Sequence, residues 1–318
     1  MNRSSKILVA GHTGLVGSAM KRRLEEEGYT DIAAASWPAI DLTDQRATDE
    51  LLARERPEAV FLCAAKVGGI LANSTLPADF IYQNVMIAAN VIHASFRHGA
   101  RKLLNLGSSC IYPRLAPQPL REEYLLTGEL EPTNEPYAIA KIAAIKLCSA
   151  YNRQHGTNFI SVMPTNLYGP GDNFDLETSH VLPAMIRRFH EAKENGAPAV
   201  TLWGTGTPRR EFLYVDDLAA ACVHLMTHHD ARALGEFVNI GTGTDLTIAE
   251  LAGIVARVVG YGGDIRWDLT KPDGTPQKLL NVGRIHDLGW RASVDLEEGI
   301  QRTYRWYLDN LQTCRGVS

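Results

Sequence analysis

The sequence predicts an α/β fold: a doubly wound parallel sheet with a smaller α/β lobe toward its C-terminal end. Three observations lead there. The strand-sized runs are continuously apolar, as in Ala59 to Ala65, and such runs suit strands covered on both faces. They alternate with helical stretches, the pattern of βαβ units. A glycine turn, Gly11-His12-Thr13-Gly14-Leu15-Val16-Gly17, separates the first strand from the first helix.

Taken in order, Lys6 to Ala10 is a buried strand and Leu15 to Glu27 an amphipathic helix. Ile32 to Ala35 is a second strand. A helix over Asp44 to Arg56 leads to the third strand, Ala59 to Ala65. A long helix, Phe80 to His98, precedes the strand Lys102 to Leu106. Tyr112 to Pro136 holds five prolines and reads as a long structured loop. The helix Tyr137 to Gln154 then leads to the strand Phe159 to Met163. Thr165 to Asn173, rich in Gly, Pro and Asn, reads as a loop. Helix Leu182 to Asn195, strand Ala199 to Trp203 and a second glycine loop, Gly204-Thr205-Gly206, follow. Glu211 to Leu225 and the strand Phe237 to Ile240 return to the main unit. The expected division is residues 1–165 plus about 211–241 for a cofactor, and about 166–210 plus 242–318 for a substrate.

The 318 residues are 45% hydrophobic and 21% charged, enough for one large core or a main unit with a lobe. A net charge of −4 gives no electrostatic case for nucleic acid or an anionic membrane. No apolar run reaches the roughly 20 residues of a membrane span. Lys6 begins a strand so early that no signal peptide is expected. The five cysteines are far apart and form no CxxC, so neither a disulfide framework nor a zinc cluster is expected and a cytoplasmic setting is.

Gly11, Gly14 and Gly17 allow a tight turn and close approach of a pyrophosphate to a helix N-terminus. The bland alternative is a glycine turn packed on the sheet. The second strand ends in Ala34-Ala35-Ser36-Trp37 without the acid that NAD-binding folds place on the adenosine ribose, which favours NADP(H). No arginine stands there to meet a 2′-phosphate either. Asp41 and Leu42 suit the adenine, or Asp41 caps the next helix.

Tyr137 and Lys141 sit one helical turn apart, downstream of a strand ending in Gly107-Ser108-Ser109-Cys110. A phenol can protonate a carbonyl oxygen that is being reduced, a lysine can lower the phenol's pKa, and a serine can complete the hydrogen bonding. With the glycine turn, this suggests carbonyl chemistry beside a nicotinamide.

On these motifs the chain resembles the extended short-chain dehydrogenase/reductase family, and within it the GDP-keto-sugar epimerase-reductases. The resemblance runs from about residue 6 to 310. It rests on Ala64 to Ile70, Leu106 to Pro113, Glu131 to Tyr137, Met163 to Pro170, Trp203 to Phe212 and Lys271 to Pro276, all in order. It implies NADP(H) as cofactor and GDP-4-keto-6-deoxy-D-mannose as substrate. A GDP-linked keto-heptose or a 3,6-dideoxy sugar is the alternative. Ser108, Tyr137 and Lys141 match the reductase triad, Cys110 the epimerisation base and His180 its acid. The glycine turn, Ser36, Trp37, Asp41, Leu42, Leu106, Gly107, Ser109, Lys141, Pro164, Thr165, Asn166, Leu167 and His180 match cofactor contacts. Arg188, Trp203, Arg210, Asp273 and Lys278 match the GDP-sugar pocket. The resemblance also implies a homodimer through the helices near 80–98 and 137–154.

Two positions depart from the family, which often has arginines at Thr13 and near Trp37 to hold the 2′-phosphate. Plainer readings stand beside each role. Cys110 suits a buried strand end, His180 a helix start, Arg188 and Arg210 a charged surface, and Trp203 either core or a stacking platform. If Cys110 is the base, its thiol, ordinarily near 8.5, needs only modest lowering to act near pH 7. Related 4,6-dehydratases typically carry an Asp-Glu pair where this chain has Ser109-Cys110. A 4-epimerase needs no Cys/His pair. A non-catalytic cofactor sensor needs no proton donor, so the intact Ser108, Tyr137 and Lys141 count against it.

Overall fold

The computed structural model describes residues 1–271 and 273–317. Pro272, part of the Lys271 to Pro276 motif, lies outside them. The chain runs β1 (Ile7–Ala10), α1 (Leu15–Glu26), β2 (Ile32–Ala35), α2 (Gln45–Glu55), β3 (Ala59–Leu62), α3 (Ile70–Thr75), α4 (Pro77–Arg97), β4 (Lys102–Leu106), α5 (Glu135–His155), β5 (Phe159–Pro164), β6 (Asn166–Tyr168) and α6 (Val181–Glu194). It continues with β7 (Ala199–Trp203), β8 (Arg209–Arg210), β9 (Phe212–Tyr214), α7 (Val215–His228), α8 (Ala231–Leu234), β10 (Val238–Ile240), β11 (Leu246–Thr247), α9 (Ile248–Val259), β12 (Asp264–Asp268), β13 (Gln277–Lys278), α10 (Gly283–Asp287) and α11 (Leu296–Asp309).

Six strands form one sheet in the order β10-β5-β4-β3-β1-β2, every pair parallel. Every residue of β1, β3, β4 and β5 is buried, which is why these strands read as unbroken apolar runs. The pleat sends Ile7 and Val9 toward α1 and α7, and Leu8 and Ala10 toward α2 and α4. From β1 the chain moves outward to β2, then returns past β1 to β3, β4 and β5. The strand order therefore reverses between β1 and β3, and a crevice opens there at the carboxyl ends.

A separate apolar cluster gathers Phe189 of α6, Leu202 of β7, Val255 of α9 and Tyr307 of α11, with Phe174 and Tyr168. Small sheets, β12-β7 and β11-β8-β13, flank it. Among the described residues no helix is long and apolar enough to cross a membrane.

Two local expectations are corrected. Residues 165–173 are not all loop, because Asn166–Tyr168 form β6 and pair in parallel with Phe212–Tyr214. Fully buried Tyr168 anchors that strand in the second cluster, so tertiary burial overrides a local turn composition. Asp41 does not cap α2. Its Oδ1 accepts from Thr43 N at 2.9 Å and Thr43 Oγ1 at 2.7 Å in an Asx turn. Asp44 is the cap, accepting from Ala47 N at 2.9 Å.

Candidate active site

At the crevice, the first turn is built as a phosphate cradle. Gly11 has φ of +88°, and a Cβ there would stand 2.7 Å from the Ala64 backbone. A Cβ on Gly17 would overlap the Gly11 carbonyl. Gly14 caps α1 with no side-chain bond, so the first amides of a twelve-residue helix lack a side-chain acceptor. The ring Nδ1 of His12 is buried without a partner beside them. Bare amides at a helix N-terminus, in a turn too tight for side chains, fit a dinucleotide pyrophosphate.

At the end of β4, Gly107 has no room for a side chain because Met163 fills it. Ser108 then caps a short 3₁₀ turn, Ser109–Ile111, its Oγ accepting from Cys110 N at 3.5 Å. This turn sets Cys110 next to Ser108. Helix α5 carries Tyr137 in its first turn, edge-on to Phe80 with ring centroids 6.2 Å apart. One turn on, Lys141 is buried, donates to Leu106 O at 2.8 Å and lies 5.6 Å from the Tyr137 ring centroid. His180 is the N-cap residue of α6.

A cavity of about 590 Å³ joins these groups. Ser108, Cys110, Tyr137 and His180 line it, as do Arg188, Trp203, Arg210, Asp273 and Lys278, with Ser109 and Asn166. The half-exposed indole of Trp203 lies under Lys271, whose Nζ is 5.3 Å from the ring centroid. Asp273 accepts from Thr205 N at 2.9 Å and Thr205 Oγ1 at 2.7 Å, tying the second glycine loop to the segment around Asp273. Lys141 does not line the cavity but stands behind it.

The other cofactor candidates lie around the crevice. Ser36 and a largely exposed Trp37 follow β2. Leu42 differs from expectation: its side chain is buried between α2 and α4, and its carbonyl accepts from Asn90 Nδ2 at 3.0 Å. Pro164 ends β5, and Thr165 Oγ1 and Asn166 Nδ2 donate to Glu211 O at 3.1 and 2.8 Å.

The electrostatics reverse two expectations. Burial lifts the Tyr137 phenol above its ordinary value, the Cys110 charge adds to this, and the Ser108 hydrogen bond opposes it. Lys141 does not pull the phenol down; burial instead lowers Lys141 itself to about 8, against Cys110 and Cys63. Burial also pushes the Cys110 thiol up, opposed by Ser108, Lys278 and Lys141. His180 is lowered by burial and then by Lys278. His180 is an exposed residue at the cavity, so its imidazole keeps contact with solvent and the downward direction is the whole of what burial and Lys278 impose. Desolvation is a property of the assembled cavity, and the reading of single motifs left it out.

Glu211 and Arg315 are among the residues that escaped the sequence reading. Fully buried Glu211 accepts from Thr242 N, Gly243 N and Leu280 N at 2.6, 2.8 and 2.9 Å, tying two segments, 242–243 and the one around Leu280, to the start of β9. Its signals were an acid just before the apolar Phe212-Leu213-Tyr214 and its place in the Trp203 to Phe212 motif, neither of which gave it a role. Arg315, far away in sequence, donates to Thr13 O at 2.6 Å and Gly171 O at 3.2 Å. It brings a guanidinium to the position where the resemblance expected an arginine side chain, and nothing local marks it.

Residues 7–241 match the NAD dependent epimerase/dehydratase family. The chain is 55% identical to the GDP-L-fucose synthase of Escherichia coli (strain K12) over 317 residues, covering 98% of this chain and 99% of that protein. It is 57% identical to GDP-L-fucose synthase 1 of Arabidopsis thaliana, over 98% of this chain and 95% of that one. Among solved structures, a GDP-L-fucose synthetase from Naegleria fowleri bound to NADP superposes with a TM-score of 0.91 at 29% identity, over 99% and 96% of the two chains.

Proposed function

The chain belongs to the NAD dependent epimerase/dehydratase family, and from that premise we propose that it converts GDP-4-keto-6-deoxy-D-mannose to GDP-L-fucose with NADPH. One observation carries the reading. A single cavity brings a serine, a thiol, a phenol and an imidazole together with the arginines and indole of a nucleotide-sugar pocket, at the switch point of a dinucleotide fold.

The 4-keto group acidifies the protons on C3 and C5. Cys110 is the base that removes them; burial disfavours its thiolate, and Ser108, Lys278 and Lys141 offset part of that cost. The hydroxyls of Ser108 and Tyr137 donate to the developing enolate oxygen. His180 returns the proton on the opposite face, which inverts the centre. The hydride for C4 is what NADPH supplies when bound. Tyr137 gives its proton to O4. Its raised pKa keeps it a phenol at neutral pH, the form a donor needs. Lys141, tied to Leu106 O behind the phenol, restores that proton. Arg188 and Arg210 hold the diphosphate and Trp203 stacks on the guanine or sugar.

In this reading residues 1–165 with 211–241 hold the cofactor, and 166–210 with 242–318 hold the GDP-sugar. The glycine turn and the ends of β2, β4 and β5 supply the cofactor contacts. The enzyme is a cytoplasmic homodimer joined through α4 and α5. The exposed side chains of Tyr82 and Ile139 on those helices support the dimer, and five unpaired cysteines suit a reducing compartment. The test is incubation with NADPH and GDP-4-keto-6-deoxy-D-mannose. NADPH oxidation with GDP-L-fucose as the NMR-identified product supports the reading. Turnover of a GDP-keto-heptose in its place would move it to that alternative.

A further inference from the structure

We propose that Asn134 and Ser179 form a subsite for the hydroxyl groups of the sugar ring, an inference that rests on the GDP-sugar reading above. Buried polar atoms in folded proteins are paired in about nine cases of ten, so an unpaired one calls for a ligand or a water. Among the described residues five side-chain atoms are buried and unpaired: His12 Nδ1, Asn73 Oδ1, Asn134 Oδ1, Asp172 Oδ2 and Ser179 Oγ. None lies in the core away from the site. His12 is in the first glycine turn, and Asp172 follows Gly171, whose carbonyl Arg315 ties to that turn. Asn73, Asn134 and Ser179 all line the cavity.

Asn73 is already committed, since its Nδ2 donates to Gly68 O and Gly69 O at 2.8 and 3.0 Å. Asn134 is the telling case. Asparagine is a favoured N-cap because its oxygen accepts from the first turn. Asn134 occupies the N-cap of α5 with φ −123° and ψ 10° and makes no such bond. Its oxygen is enclosed and unpaired, its amide nitrogen has no partner among the described residues, and a turn about χ2 would exchange the two and offer either to the cavity that the residue lines one turn before Tyr137. The amide has forgone helix capping without gaining another protein partner. Ser179 stands on another wall, directly before His180. Its backbone N donates to Asp175 O at 3.2 Å, while its hydroxyl is unpaired and can rotate between staggered positions into the cavity.

The chemistry of the pair selects its ligand. An amide and a hydroxyl each donate and accept and carry no charge, matching groups that also do both, the hydroxyls of a sugar. A diphosphate only accepts, and Arg188 and Arg210 line the same cavity for it. Asn134 and Ser179 flank Tyr137 and His180 in the chain, so together they set the face of the ring shown to the reacting groups. They are positioning residues.

The test compares binding of GDP-L-fucose and of GDP alone by calorimetry, in Asn134→Ala, Ser179→Ala and the near-isosteric Asn134→Asp, which removes the amide donor without changing size. Each should weaken GDP-L-fucose about tenfold, the scale of one lost hydrogen bond, and leave GDP within twofold. Asn134→Ala should melt at or above the parent's temperature without ligand, because it removes an unpaired buried oxygen and no cap bond. A residue with a merely structural role would lower the melting temperature instead. Unchanged GDP-L-fucose affinity, or equal losses for GDP and GDP-L-fucose, overturns the subsite. A parent that binds neither compound overturns the functional reading beneath it.

Discussion

Replacing Lys141 by methionine should make the ligand-free protein more stable while abolishing its reductase activity. Lys141 is buried and its pKa falls from 10.5 to about 8, chiefly through desolvation. At about 1.4 kcal/mol per pH unit, holding that charge inside costs about 3 kcal/mol at pH 7. Methionine keeps most of the volume but gives up the 2.8 Å bond to Leu106 O, worth about 1 kcal/mol. The net gain is about 2 kcal/mol. Its pH dependence has a definite sign. The unfolded lysine keeps its proton up to pH 10.5 and the folded one releases it near 8, so the unfolded state binds more protons between those values. The cost of Lys141 is therefore full below about pH 8 and fades as the pH rises toward 10.5. Urea unfolding of both proteins at pH 7 and pH 10 measures this. The variant should lead at pH 7, with more than half of the lead gone at pH 10. A variant less stable at pH 7, or a gap that does not change with pH, would refute the reasoning.

Tyr137→Phe removes the proton donor to O4 and should slow NADPH oxidation at least about a hundredfold; near-normal turnover would remove the phenol from the mechanism. Because Thr13 and Trp37 stand where arginines were expected, NADPH should bind only about tenfold more tightly than NADH. Arg315, held at Thr13 O, should account for most of that preference, so Arg315→Ala should weaken NADPH and spare NADH in fluorescence titrations. Glu211→Ala strands one buried amide, that of Leu280, and two half-buried ones, those of Thr242 and Gly243, and should cost about 1–3 kcal/mol in urea unfolding, the scale of one unpaired buried group; a loss under 1 kcal/mol would mean that water replaces the carboxylate.

The sheet was legible in the sequence because β1, β3, β4 and β5 are buried throughout, and an unbroken apolar run has few other uses. The glycine turn was legible because Gly11 and Gly17 answer backbone contacts only a few residues long, apart from Ala64. Asp41 and Asp44 were confused because both are three-residue signals and the chain alone does not say which carboxylate meets the helix. Tyr168 shows the converse, a turn-rich segment drawn into a strand by a distant core. The residues that line the cavity were readable through resemblance, since Arg188, Trp203 and Lys278 lie on three separate elements. Glu211, Asn134 and Arg315 were not read out, because their importance rests on partners, or a lack of partners, that exist only after folding. The protonation states failed for the same reason: the phenol and thiol look ordinary in sequence and become desolvated only when the chain folds around them.

Proton removal by Cys110 followed by reduction at Tyr137 is most directly tested in D2O, by NMR of the products formed by Cys110→Ser with NADPH and GDP-4-keto-6-deoxy-D-mannose. A serine hydroxyl is far less acidic than a thiol, so removal at C3 and C5 should stop, while hydride transfer does not need the sulfur. The variant should incorporate no solvent deuterium at C3 or C5 and should yield some GDP-6-deoxy-D-sugar in place of the L-sugar. His180→Gln should still exchange deuterium but without inversion. If Cys110→Ser washes deuterium into C5 at the parent rate, Cys110 is a packing residue and this account of the epimerisation is wrong.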